Sequence, residues 1–339
     1  MRRAAATLCA VLVAALAGTS IANAQTPGDF YRDKTLTLVV GYGVGGGYDV
    51  YARLLARHIA RHIPGTPTVI VQNMPGAGSL TALRHQDAIA PKDGTVVTLF
   101  DFVQIINARL NPERTKLDLA RYSFIGSVSE DLSVCYVWHT RGIDTLDDLR
   151  KAPVVHMGLT AAGSMQDIRF KVLSRMLGVN VKPVLGYAGT AQQYIAVERG
   201  ELDAGCGGWS SLPPHWRTEA RIKPLVRLVP TVADNMPRNV PYAGDLVASE
   251  RDRRVLRLLS NPAQLGKPFV VSAQVPPERI AILRAAFDAA MKDPQLLAEA
   301  HKLLIDISPK SAADAIAIVD DINAMPADIV DMARKVIAD

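Results

Sequence analysis

A glycine-rich turn set between an apolar strand and an amphipathic helix, within Leu36 to Ile63, constrains this chain more than any other stretch. Leu36-Thr37-Leu38-Val39-Val40 reads as a buried strand. Gly41-Tyr42-Gly43-Val44-Gly45-Gly46-Gly47 follows. A helix then opens near Tyr48-Asp49, with Tyr51, Leu54, Leu55 and Ile59 on one face and Arg53, Arg57 and Arg61 on the other. The first N–H groups of a helix have no partner inside it and carry partial positive charge, so this unit predicts an anion site. Residues 41–46 also satisfy G-x-G-x-x-G, the dinucleotide fingerprint, in its proper strand-to-helix context. The acid that would bind the ribose is missing, because the second strand ends Val71-Gln72-Asn73. A dinucleotide-binding oxidoreductase is therefore the lesser reading.

Residues 1–24 read as a secretory signal: Arg2 and Arg3, then the apolar run Leu8 to Ala17, then Ala22-Asn23-Ala24 before Gln25. This predicts export, to the periplasm, and a drop in net charge from +5 to +3 on loss of those two arginines. No basic run with interleaved aromatics is present, which argues against nucleic acid. Cys135 and Cys206 remain after processing, both in apolar, strand-like segments. Two buried free thiols are the favoured reading. A disulfide, which an exported compartment permits, is the alternative.

The pattern continues as Val69-Ile70-Val71, a second glycine turn at Asn73 to Ser79 with Ser79 as N-cap, and a strand from Thr95 to Phe100. The alternation argues for mainly parallel sheets flanked by helices. After a loop-rich crossover, a second set of strands carries a third glycine turn, Gly158 to Gly163, where Ser164 and Asp167 form a capping pattern. A fourth turn, Gly186 to Gly189, precedes Thr190 and Gln193, which read as a capping box. A proline-rich stretch from Pro230 to Pro241 leads back, and the rest is one strand and helices. Two α/β units with paired glycine turns point to two lobes with a ligand cleft between them. Residues 25–105 with 230–339 form the first lobe in this reading, and 106–229 the second.

Tyr31-x-x-Lys34, Leu38 to Tyr42, Gly46-Gly47-Tyr48-Asp49, Asn73 to Gly78, Ala90-Pro91-Lys92-Asp93-Gly94, Gly163-Ser164, Gly186 to Thr190, Val275-Pro276-Pro277 and Ala290 to Pro294 occur in one order. Together they resemble the receptors of tripartite tricarboxylate transporters, the Bug-type periplasmic solute-binding proteins. The resemblance implies a two-lobed, type II-like fold without catalysis. It would capture a small organic carboxylate and deliver it to membrane permease subunits, with no cofactor, no metal and a monomeric chain. It implies that backbone amides and waters, rather than arginine, hold the carboxylate. Carried over by position, the ligand contacts are Tyr42, Gly46, Gly47, Tyr48, Asp49, Ala77, Gly78 and Asp101 in the first lobe. In the second they are Thr160, Gly163, Ser164, Tyr187, Gly189 and Thr190. Tyr42, Tyr48, Ala188 and Cys206-Gly207-Gly208-Trp209 depart from the family pattern. They remove polar groups and add aromatic surface, which puts a citrate-like ligand in doubt and leaves room for a less charged or aromatic acid.

Some residues keep two readings. Asp49 caps a helix or orients ligand, and Asp101 is a ligand contact or a turn acid. His58 and His62, at i and i+4, lack the glutamate of a zinc motif, so an exposed helix flank is expected rather than a metal site. Ser164 lacks a nucleophile-elbow context and reads as a cap. A receptor that passes its bound state to a membrane signalling protein would carry the same site.

Overall fold

The computed structural model describes residues 27–233 and 235–338. The signal reading at 1–24 lies outside them. Strand β1 (Thr35–Val40) is buried over most of its length and pairs in parallel with β2 (Thr68–Asn73) and β3 (Val96–Leu99). In strict register, Val40 stands beside Asn73 and Leu99, so the three strands end together. The turns that leave those ends therefore cluster, as the carboxyl ends of parallel strands require.

The chain next adds β4 (Tyr122–Ser127) to the same sheet, and only then crosses to a second one. The boundary expected at residue 105 thus falls short of the last strand laid down before the crossing. The second sheet holds β5 (Ser133–Trp138), β6 (Val155–Gly158), β7 (Val181–Val184), β8 (Ala204–Gly208) and β9 (Ile222–Arg227), in the order β7-β6-β8-β5-β9. The chain then returns. β10 (Pro268–Ser272) inserts antiparallel between β3 and β4, and β11 (Lys310–Ser311) edges β4. Both sheets are accordingly mixed, not mainly parallel. β10 re-enters from the other lobe, and β5 runs against both β8 and β9.

Helices of seven or more residues are numbered here. α1 (Gly47–Ile59), α2 (Leu80–Ala88) and α3 (Val103–Leu110) follow β1, β2 and β3. α4 (Met165–Lys171) follows β6, and α5 (Thr190–Glu198) follows β7. α6 (Glu250–Ser260), α7 (Pro277–Ala290), α8 (Pro294–Lys302), α9 (Ala312–Asn323) and α10 (Ala327–Ile337) complete the chain. α1 buries Tyr51, Leu54, Leu55 and Ile59 as its periodicity predicts. His58 departs from expectation: it is buried, and its Nε2 lies 2.6 Å from Glu299 on α8. His62 meets Asp293, 2.9 Å away, so this helix edge is a packing seam rather than an exposed flank. The proline-rich return is also packed, with Ala233, Met236 and Val240 in one apolar cluster with Trp209 and Trp216.

Cys135 and Cys206 are directly opposed on β5 and β8, with 4.0 Å between their Cα atoms, and form a disulfide. This overturns the favoured reading of two free thiols. Each strand is apolar in isolation; only their adjacency, invisible in either segment, brings the sulfurs together.

Candidate functional site

The first-lobe glycine turn is built by close approach. A Cβ on Gly41 would stand 2.2 Å from the Cβ of Ser79, and Gly45 has φ +81°. Asp49 pins this turn: it accepts from the Gly45 N–H at 2.8 Å, from Arg53 Nε at 2.9 Å and from Asn73 Nδ2 at 2.9 Å. Burial pushes its carboxyl up, but the Arg53, Gly45 and Asn73 hydrogen bonds outweigh that and hold it below the usual range. All of these partners are protein groups of the first lobe, and Asp49 does not reach the cleft wall described below.

The turns of the two lobes meet. The Gly43 N–H donates to Ala188 O at 3.2 Å, the Gly47 N–H to Thr190 Oγ1 at 3.4 Å, and Asn107 Nδ2 to Gly163 O at 2.7 Å. Gly78 abuts Ser164: a Cβ on Gly78 would lie 3.3 Å from the Ser164 Cα. A space of about 50 Å³ remains between the lobes. Its lining includes Tyr42, Gly46, Gly47, Tyr48, Asp101 and Thr190 of the residues anticipated from the sequence.

The other anticipated residues are not among those that line this space. The carbonyls of Ala77 and Gly78 accept from Gln104 Nε2, at 3.2 and 2.6 Å. The Thr160 N–H donates to Gln166 Oε1 at 3.1 Å. Gly163 donates to Asp167 Oδ2 at 2.7 Å, and Ser164 caps α4 by accepting from the Asp167 N–H. Tyr187 packs half-buried beside Gly158, and Gly189 is the N-cap of α5. Two caps differ from expectation. The Thr190 hydroxyl faces Gly47 rather than capping α5, while Gln193 pairs with Gln166. Ser79 Oγ accepts from the Asp101 N–H at 2.7 Å and does not cap α2.

Sequence reasoning missed two cations. Arg169 on α4 and Lys267 just before β10 both line the gap, at 4% and 2% exposure. The signal was present but ambiguous, because a lone Arg in a helix and a Lys in a loop ordinarily face solvent. Arg169 Nη2 donates to Asp131 Oδ1 at 2.7 Å and to Ser133 Oγ at 2.6 Å. Lys267 Nζ lies 3.9 Å from Asp131 Oδ2 and over the rings of Tyr48 and Tyr51, 4.8 and 5.2 Å from their centroids. Burial alone would raise the Asp131 carboxyl; the charges of Arg169 and Lys267 reverse this and hold it below the usual range. Burial lowers Lys267, opposed by Asp131.

Asp101 behaves oppositely. Burial raises it, although the Tyr42 hydroxyl donates to Oδ2 at 2.5 Å and the Val103 N–H to Oδ1 at 2.9 Å. Tyr42 stacks on Tyr48, their centroids 4.8 Å apart, and burial raises both phenols. The gap is thus an aromatic-walled space with two cations, one carboxylate held in its charged form and one carboxyl raised by burial. It can hold an anion. Among the described residues no group of three or more His, Cys, Asp or Glu gathers as a metal site, and no helix is long and apolar enough to cross a membrane.

No family model matches the chain. A UPF0065 protein from the TAR-I ttuE-ttuC' intergenic region of Agrobacterium vitis is 26% identical over 202 residues, 58% of this chain and 56% of that protein. A UPF0065 protein from the gbd 5' region of Cupriavidus necator is 32% identical over 114 residues, 32% of this chain and 34% of that protein. The chain therefore spans about half the length of the first of these curated relatives and a third of the second. Among solved structures, the periplasmic binding protein BugD superposes with a TM-score of 0.73 at 17% identity, covering 90% of this chain and 98% of BugD. MatC from Rhodopseudomonas palustris, with bound malate, gives 0.70 at 18% identity over 90% and 99%. R. palustris Rpa4515, with adipate, gives 0.71 at 17% identity over 88% and 97%.

The architecture is the type II periplasmic binding protein fold, two mixed α/β sheets with flanking helices. Within that fold the chain is similar to UPF0065 proteins in sequence and to BugD and a TctC solute-binding protein in structure, the family its motifs resemble.

Proposed function

We propose that this protein captures a small organic carboxylate between its lobes in the periplasm and delivers it, without catalysis, to the permease subunits of a tripartite carboxylate transporter. The observation that carries this reading is the gap bounded by facing glycine turns and lined by Arg169 and Lys267. A ligand that touches Thr190 on one side and Tyr48 on the other stabilises the closed form only, which is how binding drives closure. Malate on MatC and adipate on Rpa4515 support carboxylates as the class.

The amides of Gly43, Gly45, Gly47 and Gly163 already have protein acceptors, so in the closed form they are not available to a guest. A thermal-shift screen of organic acids tests the proposal. A specific ligand at a hundredfold excess over Kd stabilises by about 2.7 kcal/mol. No shift with any mono-, di- or tricarboxylate would sink it. Co-purification with a permease subunit tests the transport half.

A further inference from the structure

The polar groups around the gap divide into those already spent and those still open. The glycine-turn amides named above are spent within the protein. The cations are not. Arg169 uses only Nη2; its Nη1 and its buried Nε have no acceptor among the described residues. Lys267 Nζ makes no hydrogen bond among them, having only a distant carboxylate and two ring faces. A guanidinium and an ammonium buried with open donors are costly unless an acceptor arrives. The gap both reach is the place where one can arrive.

Charge then limits the guest. Asp131 is shared between the two cations and neutralises one of them. Asp101 has one oxygen taken by Tyr42 O–H and the other by Val103 N–H, so it offers a guest no donor. At most one positive charge is left over. The space itself is small, about 50 Å³, room for roughly three to five waters. Its apolar walls include Tyr42, Tyr48, Phe102 and Met165.

We propose that Arg169 and Lys267 are the anion anchors of this protein, and that the gap takes a short monocarboxylate with a compact apolar body rather than a di- or tricarboxylate. A second carboxylate would enter a small, largely apolar space with no cation left to meet it. The inference rests on the binding-protein reading above and narrows it.

Calorimetry of the purified protein with butyrate and succinate, which share a four-carbon skeleton, tests the charge count. Butyrate is expected to bind at least about tenfold more tightly. Lys267→Met is expected to weaken butyrate by at least about tenfold, while Lys267→Arg, which keeps the charge, retains most of the affinity. Asp131→Asn frees a second positive charge and is expected to move the preference toward succinate by about tenfold. Should Lys267→Met fail to fold by circular dichroism, the wild-type ratio and the Lys267→Arg and Asp131→Asn titrations decide. Succinate binding as tightly as butyrate, or a folded Lys267→Met that binds butyrate unchanged, overturns this inference and leaves carboxylate capture standing. Failure of every acid, malate and adipate included, removes the capture reading itself.

Discussion

The Gly43 amide in the first lobe donates to the Ala188 carbonyl in the second at 3.2 Å, and a Cβ on Gly189 would stand 3.3 Å from the Gly43 nitrogen. The lobes therefore meet backbone to backbone. Side-chain bulk at this seam acts on closure before it acts on folding.

Gly47 makes that separation testable. It is the first residue of α1, in an ordinary helical conformation, and a Cβ there would lie 2.7 Å from the Cβ of Ser211 in the other lobe. Gly47→Ala is expected to leave the unfolding midpoint of the ligand-free protein unchanged or slightly raised. Overpacking of about 1–3 kcal/mol in the closed form corresponds to roughly 5- to 150-fold weaker ligand binding. Calorimetry reads the affinity, and small-angle scattering the absence of ligand-induced contraction. A normal contraction in the variant contradicts the seam.

Acid–base behaviour should separate Asp101 from Asp131 and Asp49. Asp101 is raised in the folded state, chiefly by burial, so between its unfolded and folded pKa the native protein holds a proton that the unfolded chain has released. Its contribution is complete below the unfolded value, near 4, and is lost as pH rises through the folded one. Asp131 and Asp49 are lowered, so their contributions are complete above that value and are lost as pH falls through the folded ones. Asp101→Asn should abolish the stability loss on the rising-pH side, about 1.4 kcal/mol per unit of displacement, and leave the acid limb in place. Urea unfolding across weakly acid pH measures both limbs. Ligand affinity in the wild type should fall over the same rising window, as the gap gains the negative charge of Asp101.

The cross-strand disulfide closes a loop between positions 71 residues apart. In the chain-entropy account such a bond contributes up to about 4 kcal/mol. Reduction, or Cys135→Ala with Cys206→Ala, should lower unfolding stability by an amount of that order. Cys206 also lines the gap, so ligand affinity should change with it. Equal urea midpoints for oxidised and reduced protein would show that the bond does not form.

Asp49 provides a control for the site. Asp49→Ala strands the Gly45 N–H and breaks the contacts with Arg53 and Asn73, at a cost of about 1–3 kcal/mol. Asp49→Asn keeps an acceptor for Gly45 and should recover much of the loss. Because Asp49 stands outside the gap, its variants should lose stability with little change in ligand affinity, the reverse of Gly47→Ala.

The strand–turn–helix units were legible because each is local: Leu36 to Val40 and the face of Tyr51, Leu54 and Leu55 announce themselves by period. Tyr42 and Tyr48 were legible as departures from a family pattern. Arg169, Lys267 and Asp131 were not, since each comes from a different segment and only the closed fold assembles them. The same holds for Cys135 and Cys206, and for His58, whose partner Glu299 lies on α8. The mixed sheets escaped because β10 inserts between strands laid down much earlier, a placement that no local period encodes.

That insertion sets an order of assembly. Strands β5 to β9 lie in one uninterrupted run, so the second sheet can form as soon as residue 227 is available. The first sheet cannot, because β3 keeps one edge unpaired and β4 has no partner at all until Pro268–Ser272 arrives between them. A nascent or truncated chain that stops short of that strand leaves one edge of β3 and both edges of β4 open. The later-finished half is then the natural target for chaperones, and the half in which terminal deletions are most damaging.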